Sequence, residues 1–207
     1  MGLILNSFYI SLLMIFDKEI ILEDDTTLLR PVEPGDVNGF RKIFCEEDIW
    51  DYTVTKYSTD EEIDKFVADA VWNKQNSIRY TFTVIDKISG EIAASSSFGN
   101  FAFDDKCVEI GWSYVGKKFW GTHINPHMKY HMLCYAFEEM GMNRVEFKTH
   151  DANPRSGRAL LKIGCKKEGV LRSKNVLHNG RLRDTAFYSI LAGEWPNVKE
   201  TVFDKLL

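Results

Sequence analysis

The sequence predicts an α+β domain in which a mixed, mostly antiparallel sheet is flanked by helices. Three observations lead there. The hydrophobic period switches between about 2 and about 3.6 in the order β-α-α-β-β-β-α-β-α-β-β. One strand–helix–strand crossover sits among strands joined by short turns, so a parallel pair lies beside antiparallel ones. The 207 residues, 44% hydrophobic and 27% charged, suit one domain with a full core. They exclude disordered, collagen-like and disulfide-scaffold classes.

The elements follow in order. Thr27–Val32 is a short strand. Pro34-Gly35-Asp36 opens a helix to about Cys45, with Val37, Phe40, Ile43 and Phe44 at helical spacing. Thr59-Asp60-Glu61-Glu62 is a capping box before Ile63, Phe66, Val67 and Ala70. Tyr80–Asp86, Glu91–Phe98 and Val108–Val115 are strands, the first two joined by a Ser-Gly turn. A helix spans Pro126–Met140 and stops at Gly141. Arg144–His150 is a strand, Pro154–Ile163 a short helix stopped by Gly164, and Lys166–Ser173 and Thr185–Leu191 are strands around His178-Asn179-Gly180.

Residues 1–16 are uncharged and mostly apolar. As a helix they reach ~24 Å, short of the ~30 Å hydrocarbon core, and no basic residue opens a signal peptide. They are expected to be an extension upstream of a natural start at Met14, the other reading being a membrane-associated tail. Residues 17–196 then form one domain and 197–207 a tail. The four cysteines make no CxxC pair, which fits free buried thiols in a reducing cytoplasm. Net charge is −4, but residues 1–116 hold 10 basic and 21 acidic side chains, and residues 117–183 hold 14 and 5. This argues against general nucleic-acid binding and leaves room for a compact anionic ligand on the basic block.

The most informative stretch is Val115–Tyr130, where a strand ends, a basic turn with Gly121 follows, and a helix starts near Asn125. A helix N-terminus has unpaired N–H groups and a positive dipole end, which suit a phosphate. The turn is neither a P-loop nor GxGxxG, and a plain connection with solvated lysines explains it equally well.

Trp120-Gly121-Thr122, Tyr135-Ala136-Phe137-Glu138-Glu139 and Arg144-Val145-Glu146 resemble the acetyl-coenzyme A motif of the GNAT superfamily of N-acetyltransferases. Asn153-x-x-Ser156, Lys162-Ile163-Gly164, Glu168–Arg172, Arg183-Asp184, Tyr188-Ser189 and Glu194-Trp195 extend the likeness. So do Leu29-Arg30-Pro31 with Asp36, and Ile49–Tyr52. Together they point to the RimJ/RimL-like branch, the ribosomal-protein N-terminal acetyltransferases, over about residues 19–196. The resemblance implies a GNAT fold of six to seven strands whose central strands splay to admit acetyl-CoA. It implies cofactor contacts from Trp112, Ser113 and Tyr114 on the strand, and from Lys118, Phe119, Trp120, Gly121, Thr122, His123, Ile124 and Asn125 at the turn. Asn153 and Arg158 complete that set. His123 stands where the family has a second small residue, so the loop must widen or His123 must point outward.

Amine acetylation needs a neutral amine, and a lysine-type amine has a reference pKa of about 10.4. Glu109 is the candidate base. Strict alternation puts Cys107, Glu109, Gly111 and Ser113 on one strand face, opposite Val108, Ile110, Trp112 and Tyr114. The alternative is an edge carboxylate paired with a basic neighbour. The Tyr acid of many relatives is replaced by Leu160, so Ser156 or water is the candidate acid. The branch's acidic partner is replaced by Asn175, which puts a ribosomal-protein substrate in question. Trp50, Asp51 and Tyr52, with Asp48, either cradle a cationic amine or pack the first helix on the sheet. His127, His131 and Cys134 share a helical spacing able to hold zinc, with His123 four residues earlier, but no further ligand is evident and no metal is expected. The expected activity is direct acetyl transfer to a small-molecule or peptide amine by a monomer or homodimer. It needs neither nucleic acid nor membrane. The alternative is an acyl-CoA-binding module with little turnover.

Overall fold

The computed structural model describes residues 15–205, so most of the apolar N-terminal stretch, and with it the question of Met14, lies outside the described residues. Eight strands form one sheet: β1 (Leu22–Glu23), β2 (Thr27–Pro31), β3 (Tyr80–Asp86), β4 (Glu91–Ala102), β5 (Cys107–Val115), β6 (Arg144–His150), β7 (Lys166–Val176) and β8 (Leu182–Leu191). Their order is β1-β2-β3-β4-β5-β6-β8-β7. The strand beyond the seven read from sequence is β1, whose two residues are too short to show a period. Every neighbouring pair is antiparallel except β5–β6, as the crossover through a helix requires.

The α-helices are α1 (Val37–Phe44), α2 (Asp60–Gln75), α3 (Ile124–Cys134), α4 (Pro154–Lys162) and α5 (Trp195–Thr201). The capping box at α2 forms: Glu62 N–H donates to Thr59 Oγ1 at 3.2 Å, and Thr59 N–H donates to Glu62 Oε2 at 3.0 Å. The region before α1 is held by a buried ion pair. Arg30 clasps Asp36 at 2.5 and 2.9 Å, and Thr83 Oγ1 donates to the same carboxylate at 2.6 Å. Two aromatic cores result. Phe40, Phe44, Phe66, Trp50, Tyr57 and Tyr114 pack on one face of the sheet. On the other, Tyr80, Phe82, Phe98 and Tyr135 pack in series.

One feature of β5 departs from strict alternation. Ser97 pairs with Gly111 and Ser95 with Tyr114, so Trp112 and Ser113 together oppose Ser96. Trp112 has φ +48°. This is a β-bulge, and it inverts the facing of every residue after Gly111. Tyr114 therefore joins the aromatic core beside α1, and Ser113 turns to Ser96, 2.8 Å away. The expectation that Ser113 shares a face with Glu109 is thus corrected, because the period of two is broken by one inserted residue. The strained Trp112 is accommodated by Gly99, where a Cβ would lie 2.7 Å from the indole.

Candidate active site

β5 and β6 pair over only three registers, Cys107 with Arg144 through Glu109 with Glu146. Beyond Glu109, β5 continues for six residues beside β4, and β6 for four beside β8, with no bond between the two. The bulge twists β5 away, and a fork opens at the centre of the sheet. Along its β5 edge no β6 partner meets residues 110–115, the Val115 carbonyl being taken by the Trp120 indole and the Gly111 carbonyl by Ser113 Oγ.

Glu109 sits at the crotch of this fork, 6% exposed. Its Oε2 accepts from Asn100 Nδ2 and Lys148 Nζ, each at 2.6 Å. A Cβ at Gly111 would lie 2.9 Å from Oε1, so glycine there leaves the second oxygen room. The pairing with a basic neighbour is therefore present, at a carboxylate buried where the strands part.

The turn after β5 lies at the fork's open end. Phe119 anchors it, 5% exposed, and Trp120 Nε1 donates to the Val115 carbonyl at 2.8 Å. Gly121 has φ +75° and open space around its α-carbon. The N–H groups of Gly121 and His123 donate to nothing among the described residues. Ile124 buries its side chain fully, so only its backbone belongs to the turn surface. His123 Nε2 is buried 3.2 Å from Asp86, so the ring is turned towards the end of β3. Lys117 pairs with Asp48 at 2.5 Å and Lys118 with Glu91. These two lysines already have carboxylate partners.

The other bank is α4. Asn153 caps it, accepting from Ser156 N–H at 3.0 Å. Ser156 stands in the first turn, half-buried, and Arg158 is exposed. The residue that reaches the turn is Arg155, whose guanidinium stacks 3.4 Å from the Trp120 ring centroid. Burial lowers its pKa. No signal in the sequence singles out Arg155, because Trp120 comes from the opposite bank.

A second residue missed from sequence is Lys129. It is 4% exposed on the sheet-facing side of α3, and it donates to Ser113 Oγ at 2.7 Å and Ser96 Oγ at 3.1 Å. Desolvation pushes its ammonium down to about 7. The helical spacing 129, 132, 133, 136 was the available signal, since Met132, Leu133 and Ala136 are all buried.

On the acceptor side, Trp50 is a core residue. It is 1% exposed, donates from Nε1 to the Phe44 carbonyl at 2.9 Å, and packs between Phe44 and Tyr114. Of the two readings of this loop, packing holds for Trp50, because its indole is enclosed by Phe44, Tyr57 and Tyr114. Asp51 is exposed and Tyr52 half-buried, its ring edge-on to His150 at 5.7 Å. Asn175, in place of an acid, accepts from Thr185 Oγ1 at 2.9 Å.

The histidines of α3 have a structural partner. Asp24 Oδ2 lies 2.6 Å from His127 Nδ1 and 2.8 Å from His131 Nε2. Burial pushes the Asp24 carboxyl up, but bonds from His127, from the Thr26 and Thr27 N–H groups and from His131 outweigh it and hold it well below the usual range. This clamp ties the β1–β2 turn to α3. The described residues hold no group of three or more His, Cys, Asp or Glu arranged for a metal ion, and no described helix is long and apolar enough to cross a membrane. None of the four cysteines is paired, though Cys45 is exposed where burial was expected.

Comparison with known proteins fits this geometry. The family model described as "Acetyltransferase (GNAT) domain" matches residues 27–166. The uncharacterized N-acetyltransferase YoaA of Bacillus subtilis is 26% identical over 176 residues, 83% of this chain and 96% of that protein. A GCN5-related N-acetyltransferase structure from Brucella melitensis superposes with TM-score 0.83 at 25% identity, over 92% of this chain and 86% of that one. The ribosomal-protein-S5-alanine acetyltransferase of Vibrio fischeri shares the fold, with TM-score 0.72 at 17% identity over 86% and 99% of the two chains.

Proposed function

The chain belongs to the GNAT acetyltransferase family, and we propose that its β5–β6 fork carries direct acetyl transfer from acetyl-CoA to a primary amine. The observation that supports this most is the fork itself, with a buried carboxylate at its crotch and unpaired N–H groups at its mouth. Acetyl-CoA is the family's co-substrate, and it supplies an activated thioester carbonyl. The residues present fit it. Gly121 and His123 offer two free N–H donors beside a positive-φ glycine, suited to phosphate oxygens. Arg155 adds a fixed guanidinium over Trp120 and replaces Arg158 as the cation at the turn. Asn153 and the free edge of Trp112, Ser113 and Tyr114 line the channel between the banks.

Glu109 Oε1 is the proton acceptor for the incoming amine, while Oε2 is held by Asn100 and Lys148. Backbone N–H groups on the freed edge of β5 face the site where carbonyl charge develops. Ser156, whose hydroxyl has no partner among the described residues, or a water beside it, returns a proton to the leaving sulfur.

Thiol release measured against amines, amino acids and N-terminal peptides tests the reading. Glu109→Gln is expected to lower kcat about 100-fold with acetyl-CoA affinity retained. An unchanged rate removes Glu109 as base. Tight acetyl-CoA binding with no thiol release on any amine would favour a binding module instead.

A further inference from the structure

Of the acidic residues expected to draw a cationic amine, Asp51 stays exposed and two are already neutralised. Asp48 is paired with Lys117 at 2.5 Å and Glu109 with Lys148 at 2.6 Å. The buried guanidinium nitrogens left without a partner beside Glu109 belong to two arginines. Arg79, just before β3, lies 3.8 Å over the Trp112 ring. Arg183, on β8, stands opposite Asn175, whose side chain is engaged by Thr185. The Nε of each guanidinium is buried without a hydrogen-bond partner, and neither meets a carboxylate among the described residues. Asp69, the other acid within electrostatic reach of Arg79, is paired with Lys65 at 2.6 Å.

Both arginines lie on the side of Glu109, and the Arg79 stem packs 3.5 Å from the Cβ position of Gly99, the cross-strand partner of Glu109. Glu109 and Tyr114 act electrostatically on both, Arg79 approaching from the β3–β4 side and Arg183 from β8. Desolvation lowers the pKa of each, yet guanidinium stays charged at any physiological pH. Two half-buried cations without counter-ions are costly in an empty protein. A planar carboxylate received by guanidinium forks offsets that cost with charge-assisted bonds. Gly99 keeps the arrangement in place, since its missing Cβ admits the indole on which Arg79 rests.

We propose that Arg79 and Arg183 form a carboxylate-binding subsite beside Glu109, so that the amine acetylated here carries a carboxylate within a few bonds of the nitrogen. This rests on the acetyltransferase reading above. The carboxylate has two sources, the α-carboxylate of a free amino acid or an acidic side chain next to a peptide's N-terminus, and both present the same oxyanion near an amine.

The test compares matched acceptors: amino acids against their amides, and peptides with Asp or Glu in second position against Asn or Gln. The wild-type protein is expected to prefer the acid by at least about 10-fold in kcat/KM, the equivalent of one charged hydrogen bond. The pair showing the preference identifies the source. In Arg79→Gln and Arg183→Gln the acid-to-amide ratio is expected to fall towards one, with Arg79→Lys intermediate because charge persists and the fork is lost. Equal rates on acid and amide in the wild type overturn the subsite. A separate readout protects the inference from failure of the transfer reading. Calorimetric titration with N-acetylated amino acids and their amides should detect the acid alone, and loss of that binding in the double variant supports the subsite even without turnover. Equal binding of acid and amide overturns it.

Discussion

β5 and β6 leave the sheet in the same direction, and each is followed by a turn and a helix, yet the two helix starts are finished differently. At α4, Asn153 takes non-helical angles and accepts the Ser156 N–H at 3.0 Å, and Pro154 removes one donor that would need a partner. At α3, His123 is already helical and offers no side-chain cap, while Gly121 turns the chain at φ +75°. The first start is satisfied internally. At the second, Thr122 Oγ1 accepts from Ile124 N–H at 3.4 Å, and the Gly121 and His123 N–H groups have no partner among the described residues. In the proposed reading the capped start holds Asn153 and Arg155 on one bank while the open one receives the anion on the other, and the difference lies in one capping side chain and one left-handed glycine.

The largest way to break this contrast is at the glycine. Gly121→Val cannot hold φ +75° without strain, and it is expected to weaken acetyl-CoA binding about 100-fold by calorimetric titration. An unchanged affinity would show that the turn is not the receptor.

The helices differ inwardly too. α4 buries Leu160 under the sheet, whereas α3 buries Lys129. The folded ammonium loses its proton near pH 7, while the unfolded lysine keeps it to about 10.4. The unfolded state therefore binds more protons between these values, and stability rises with pH, with a slope approaching ~1.4 kcal/mol per unit. Denaturant melts of Lys129→Met from pH 7 to 10 should lose that rise. A rise of equal slope in the variant would refute the assignment.

The smallest effect belongs to the capped bank. Asn153→Ala should cost about 1 kcal/mol of stability, as the loss of an N-cap does, read as a fall in the denaturation midpoint. If it weakened acetyl-CoA binding as much as Gly121→Val, the two helix starts would not be distinct in role.

Much of the fold was legible because it rests on local physics. The capping box at Thr59, the Gly-terminated helices and the apolar periods of β3, β6 and α1 can each be read within ten residues. For the candidate site, motifs could nominate Glu109, Gly121 and Asn153. They failed where a residue acts across the chain. For Trp50 the sequence left cradling and packing open until Phe44 and Tyr114 closed around it, and the lysines of the turn looked free until Asp48 and Glu91 met them.

By itself the sequence determined the order of elements, the crossover that makes β5 and β6 parallel, and the family to which they belong, because period, caps and short motifs are properties of neighbouring residues. Only the tertiary structure decided which charges remain unmatched. Lys148, Lys117 and Lys118 found carboxylates, whereas Arg79 and Arg183 did not. The bulge at Trp112 likewise became visible only through its pairing with β4. Charge balance and strand register are set by residues far apart in the chain, so they exist only once the sheet has formed.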